Sequence, residues 1–102
     1  MKKEKTLAKI PKTLQGILWS VSVDKLDLED DKNYIIHQVL AYGTLEQIKW
    51  LFNVYGRQEV KETFSNEPTR VYDQPSFIFV KNVVLDLENA SLDKKRYVQS
   101  IF

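Results

Sequence analysis

Cysteine is absent from the 102-residue chain, and histidine and methionine occur once each. Without thiols there is no disulfide, no thiolate metal site and no cysteine nucleophile. His37 has no second imidazole to share a metal with, and it is the one imidazole base that a serine or threonine nucleophile would have. Glycine and proline occur three times each. Gly16, Gly43 and Gly56 lie too far apart for a loop that cradles phosphate, and no GxSxG turn occurs. No apolar run approaches the roughly 20 residues needed to cross a bilayer. Charge of one sign is also lacking. The net charge of +1 offers nucleic acid little long-range attraction.

What is there suits one folded domain. Hydrophobic residues make up 43% and charged residues 28%, a balance that disordered tails and membrane spans do not have. The opening "MKKEKTLAKIPKTLQGILW" is basic and then apolar. Pro11, Lys12 and Gln15 interrupt it before it forms a signal-peptide core, and no small-residue cleavage site comes after it. A reducing cytoplasm is therefore the expected location. Lys2, Lys3, Lys5, Lys9 and Lys12 crowd this start, so residues 1–12 read as a flexible basic arm, with residues 13–102 as a single helical domain. Asp24, Asp27, Glu29, Asp30 and Asp31 crowd the next segment. "DKLDLEDDKNY" lacks the glycine and closing glutamate of a calcium loop, so the acidic run reads as helix capping and solubility, and no metal is assigned. Glu46, Glu59 and Glu62 lie on amphipathic helices with nothing to mark them as an acid–base pair. No catalytic residue and no cofactor is assigned.

Periodicity predicts an all-α bundle of roughly five short helices. Thr13 is expected to cap a short helix holding Leu14, Ile17, Leu18 and Trp19. Asp30 or Asp31 is expected to cap a second helix, "KNYIIHQVLAY", with an apolar stripe of Ile35, Ile36, Val39 and Leu40. Gly43 sits where a left-handed C-cap belongs, and Thr44 with Gln47 forms a capping-box pattern. The third helix carries Leu45, Ile48, Leu51, Phe52 and Tyr55, with Trp50 and Val54 on a neighbouring strip. So wide an apolar surface places it at the centre of the core, or leaves a strip for a partner. Gly56 is expected to end it in the same left-handed way, and "RQEVKETF" forms a short fourth helix pairing Val60 with Phe64. "SNEPTRVYDQP" is a loop by composition. "SFIFVKNVVLDLE" has the β-branched and aromatic content of a strand. Its length, Pro75 in a first turn and the spacing of Phe77, Val80, Val84 and Leu87 favour a helix, which is the reading taken. Ser91 is expected to cap a last helix with Leu92, Val98 and Ile101 inward.

Residues 44–64 also have the outline of a DNA-reading helix-turn-helix, with Arg57, Gln58 and Lys61 suited to face a groove. Glu59 and Glu62 repel phosphate in the same short helix. This is the alternative reading.

The middle half of the chain resembles a small bacterial family of helical proteins often encoded beside nucleotidyltransferase-type toxins of the AbiEii kind. The residues that carry the resemblance are Trp19, Asp24, Leu26-Asp27, Ile35-Ile36, Val39-Leu40, Tyr42-Gly43, Ile48, Trp50-Leu51, Tyr55-Gly56-Arg57 and Val60. The later segment departs from that family's pattern: "DQPSFIFVKN" keeps Ser76 and apolar bulk, without the arginine and tryptophan found there. The resemblance implies an antitoxin-like or accessory protein that acts by binding a protein partner, such as a toxin encoded nearby. Aromatic content beyond what a short bundle buries points the same way. Trp50, Tyr42, Tyr55, Tyr72 and Phe102 are the expected partner-binding residues, because Tyr and Trp bury much area while losing few rotamers. A homodimer is a further option; a membrane is not expected.

Overall fold

The computed structural model describes residues 10–19 and 22–99. Four helices form the body: α1, Lys32–Tyr42; α2, Leu45–Tyr55; α3, Arg57–Asn66; and α4, Gln74–Phe79, which continues as a π turn over Val80–Val84. Three short 3-10 turns flank them, at Lys12–Gly16, Val23–Lys25 and Lys94–Arg96. Among the described residues the β-structure amounts to one isolated parallel bridge between Tyr72 and Val98. The class is therefore helical, with four helices where roughly five were expected. One buried cluster runs from Leu14 to Tyr97 and takes residues from every helix. The Cα radius of gyration, 13.2 Å, is that of one globule of this length.

The first and last segments expected to be helical form short 3-10 turns instead. The first segment forms a 3-10 turn that starts after Pro11, and Thr13 makes no cap. Gln15 holds the next stretch of chain in place: its Nε2–H donates to the Leu18 carbonyl at 2.8 Å and its Oε1 accepts from the Val23 amide at 2.9 Å. Of the expected basic arm, residues 1–9 lie outside the described residues, whereas Ile10 packs against the core. At the other end, Asp93 rather than Ser91 accepts the capping amide, from Lys95 at 3.1 Å. The chain then turns alongside Tyr72. The Tyr72 amide donates to the Tyr97 carbonyl at 3.1 Å, and the Gln99 amide donates to the Tyr72 carbonyl at 2.9 Å. Backbone groups that a helix would have used are thus bound to a distant segment. Ile101 lies outside the described residues.

The central helix is α1, not α2. Residues 35 to 40 are buried without a break, including His37 and Gln38. Burial of an Ile or Leu side chain contributes roughly 1.5–3 kcal/mol, so this helix anchors the core. Gln38 is accommodated because its Nε2–H donates to the Ile17 carbonyl at 2.6 Å. Asp31 occupies the N-cap position of α1 but makes no side-chain cap. Its Oδ2 instead accepts from the Asp27 amide, while Asp27 Oδ1 accepts from the amides of Glu29 and Asp30. Those two amides hold the Asp27 carboxyl below its ordinary range. The acidic run is thus a self-capped turn.

The two Tyr-Gly pairs use glycine for different reasons. Gly43 has φ −78°, so the expected left-handed cap is absent. A Cβ at Gly43 would stand 2.6 Å from the Val39 carbonyl oxygen and 3.1 Å from Val39 Cγ1. Glycine is needed there for close approach. Thr44 and Gln47 then form the capping box, with the Gln47 amide 3.2 Å from Thr44 Oγ1 and the Thr44 amide 2.9 Å from Gln47 Oε1. Gly56 has φ 85° and ψ 149°, a region open essentially to glycine alone, and no atom would crowd a Cβ there. This single residue separates α2 from α3.

α4 begins where Asp73 Oδ1 accepts the Ser76 amide at 2.8 Å, with Pro75 in the first turn. At its far end the Leu85 amide reaches the Val80 carbonyl, and the Leu87 amide reaches the Lys81 carbonyl at 2.7 Å. That closure puts Asp86 at φ 56°. The left-handed region costs a side-chain-bearing residue about 1–2 kcal/mol.

Gly43→Ala and Gly56→Ala are each expected to lower stability by about 1 kcal/mol or more, seen as melting about 4–8 °C lower. Asp86→Gly is expected to act in the opposite sense, raising stability by about 0.5–1 kcal/mol in the same thermal assay.

Candidate functional site

Trp19, in the segment ahead of α1, and Tyr42, the last residue of α1, meet at the surface. Their ring centroids are 5.1 Å apart and the planes are inclined at 57°. Trp19 remains 62% exposed and Tyr42 42% exposed. The polar atom of each ring is used within the chain. Trp19 Nε1–H donates to the Gly16 carbonyl at 2.7 Å, and the Tyr42 hydroxyl donates to the Val71 carbonyl at 3.0 Å. The outward surface is therefore ring surface without an unmet hydrogen bond. Leu45, the first residue of α2, is exposed as well. Such a pair offers apolar or cation–π contact and no proton transfer. Because both rings are pinned, little rotamer freedom is left to lose on binding.

The other expected anchors are placed differently. Trp50 is half-buried and packs against the core. Tyr55 and Tyr72 are core residues, not surface anchors. Tyr55 sends its hydroxyl to the Leu28 carbonyl at 2.7 Å, and Tyr72 is fully enclosed. Burial raises both hydroxyls above the ordinary tyrosine range, so they stay protonated and donate. Phe102 lies outside the described residues. Trp19 is not among the expected partner residues, because the expected first helix groups it with Leu14, Ile17 and Leu18 on one apolar face. A shortened first turn leaves it outside.

The residues of the DNA-reading alternative are engaged with their own chain. Arg57 donates to the Val84 carbonyl at 2.9 Å and lies 5.2 Å from the centre of the Phe52 ring, so it ties the end of α4 to the start of α3. Gln58 donates to Glu62 at 3.1 Å, and Lys61 is half-buried. An open depression of about 620 Å³ beside α3 is lined by Lys32 and Arg57 but also by Glu59, Glu62 and Glu67. Its cations are outnumbered, and Lys32 is already paired with Glu59 at 3.0 Å.

Residues 14–64 match a family of unknown function, DUF6922. The chain belongs to that family. No curated protein and no solved structure matches the chain. The DUF6922 segment contains both tyrosine–glycine pairs, the capping box and the Trp19–Tyr42 contact. It ends at Phe64, in the middle of an aromatic cluster that later residues complete. Phe64 lies 4.8 Å from Tyr97, 5.7 Å from Tyr72 and 6.1 Å from Phe77, centroid to centroid.

His37 joins the DUF6922 segment to the last third of the chain. Its Nε2 lies 2.8 Å from the Glu67 carbonyl and its Nδ1 lies 2.8 Å from the Tyr72 hydroxyl. A carbonyl only accepts, so Nε2 carries the proton and Nδ1 accepts from Tyr72. Both nitrogens of the neutral ring are satisfied. Burial lowers the His37 pKa, against the smaller opposing effect of the Glu67 carbonyl. The site is enclosed, and this histidine is structural. Among the described residues no three His, Cys, Asp or Glu side chains gather as a metal would require.

A lowered folded-state pKa means that the unfolded chain binds the proton more readily. The stabilisation is therefore complete above the ordinary value of 6.5 and is lost as pH falls through it toward the folded-state value. His37 is the only histidine and no cysteine is present. Melting temperature is expected to fall between about pH 7.5 and about pH 5.5, and a His37→Gln variant is expected to lose most of that slope.

Proposed function

We propose that the chain is a non-catalytic binding protein of the cytoplasm, an antitoxin-like or accessory partner of a nucleotidyltransferase-type toxin, and that it docks through the surface bearing Trp19 and Tyr42. The observation that carries this reading is the exposed ring pair whose polar atoms are already bonded internally. Rigid Trp and Tyr surfaces are the side chains that dominate protein–protein binding energy. Both belong to the motif that carries the resemblance to proteins encoded beside such toxins. Most other residues of that motif have interior or backbone duties: Ile35, Ile36, Val39, Leu40, Leu51 and Val60 fill the core, Asp27 caps a turn, and Gly56 sets a backbone angle. Trp19 and Tyr42 leave much of their rings in water. Trp50, half-buried on α2, is a secondary candidate for the same role.

The helix-turn-helix alternative over residues 44–64 draws little support from the geometry. One residue joins the two helices where that motif uses a turn of three or four, and Arg57 is committed to Val84. Among the described residues no helix is long and apolar enough to cross a membrane.

Co-expression with the product of its neighbouring gene, which this reading expects to be a nucleotidyltransferase-type toxin, is expected to yield a complex that co-elutes in size-exclusion chromatography. Trp19→Ala and Tyr42→Ala are each expected to weaken that complex about tenfold or more while melting stays near that of the parent. Separate elution of the two parent proteins across salt concentrations would remove the reading.

A further inference from the structure

The Trp19–Tyr42 pair has a basic neighbour drawn from distant sequence. The Tyr42 hydroxyl reaches the Val71 carbonyl, on one edge of segment 70–72. The other edge of that segment pairs with the end of the described chain: the Tyr72 amide donates to the Tyr97 carbonyl and the Gln99 amide to the Tyr72 carbonyl. Segment 70–72 therefore lies between the ring pair and residues 94–99. Paired extended segments run about 5 Å apart, so one docked segment spans both the rings and the Lys94–Arg96 turn.

That turn consists of Lys94, Lys95 and Arg96, and Arg70 is bonded to it. All four cations are exposed. The Arg70 Nε–H donates to the Lys95 carbonyl at 2.8 Å. This bond orients the guanidinium and leaves both Nη groups, the end that grips a carboxylate through two parallel hydrogen bonds. Among the described residues no carboxylate pairs with any of the four. Asp73 and Asp93, the carboxylates in the same stretches, are turned to amides of their own turns, Ser76 at 2.8 Å and Lys95 at 3.1 Å. Along the sequence the one charged residue within four positions of either ring is Glu46. It lies in the first turn of α2, at the positive end of that helix.

We propose that the protein partner docked on Trp19 and Tyr42 presents an acidic segment, with apolar side chains on the rings and Asp or Glu carboxylates on Arg70, Lys94, Lys95 and Arg96. This rests on the reading of the ring pair as a docking surface and adds the charge of what docks there. Charge complementarity selects the occupant. Four such cations, in a chain whose net charge is only +1, repel a basic segment and gain nothing from a neutral one. A run of phosphates is served less well. Asp73, Asp93 and Glu46 are interspersed among the cations and rings. The two rings, inclined at 57°, offer no pair of parallel faces between which a base would slide.

Fluorescence anisotropy of labelled probes against the full chain tests this separately from the identity of the partner. One synthetic peptide alternates Glu and Asp with Leu and Phe. Its twin carries Lys in place of every acid, and oligothymidylate is the third probe. The acidic peptide is expected to bind at least about tenfold more tightly than the other two, and to weaken about tenfold or more between about 50 mM and about 500 mM NaCl. Joint Lys94→Glu and Lys95→Glu substitution is expected to cost about tenfold or more in that binding with unchanged melting, because both side chains are in water. Trp19→Ala is expected to cost a similar factor, which ties the basic turn to the rings. Equal binding of the two peptides, tighter binding of oligothymidylate, or full binding by the charge-reversed variant overturns the proposal. If the acidic peptide binds here and the product of the neighbouring gene does not, the toxin is removed and the acidic partner stands. If that product forms a complex indifferent to the charge reversal, the docking surface stands and this proposal falls.

Discussion

A neutral imidazole held between a backbone carbonyl and a phenol is the constraint on which the rest of this structure depends. His37 lies on the central helix, Glu67 just beyond α3, and Tyr72 in the segment that leads into α4. The ring therefore fixes three stretches of chain at one buried point. Around it the Phe64, Tyr72, Phe77 and Tyr97 rings stack and tilt against one another, which carries the core into the last third of the chain. Charging the ring would place a proton where an acceptor is needed and strand a charge away from water.

The same device recurs. Tyr55 reaches the Leu28 carbonyl, Tyr97 the Phe64 carbonyl and Tyr42 the Val71 carbonyl. In each case an aromatic body packs while its hydroxyl satisfies a carbonyl that no helix or sheet partner serves. A small helical domain with long irregular connections has many such carbonyls, and tyrosine is the side chain that fills volume and closes a hydrogen bond together. Arg57 does a related job for the end of α4. Residues that look like binding groups by type are thus largely consumed by the fold. Among the described residues, the large apolar side chains left exposed are the Trp19–Tyr42 pair, Leu45, and Ile78, Phe79 and Val83 on the outer side of α4 and its π turn.

Much of the helical plan was legible in the chain. The spacing of Ile35, Ile36, Val39 and Leu40, the Thr44–Gln47 capping box, and the Val60–Phe64 pair are local signals, set within one or two turns, and the helices they announce are present. Less legible were features that depend on distant chain. Leu92 and Val98 are expected on the inner side of a last helix, yet their segment lies along Tyr72 because the backbone groups there offer bridge partners. Tyr97, absent from the expected inner face, is the residue that segment buries. His37 and Gln38 broke the apolar pattern of α1 and hid its central place, although each is hydrogen-bonded once the fold closes.

The sequence by itself determined where helices start and stop in the middle of the chain, because caps, glycines and apolar periodicity act over a few residues. It also determined that no thiol chemistry is available. Only the tertiary structure decided what each aromatic residue is for. Tyr42, Tyr55 and Tyr72 are chemically alike, yet one is half in water and two are sealed in the core. That difference arises from which distant carbonyl or imidazole each hydroxyl reaches, a relation between segments that spacing along the chain does not encode.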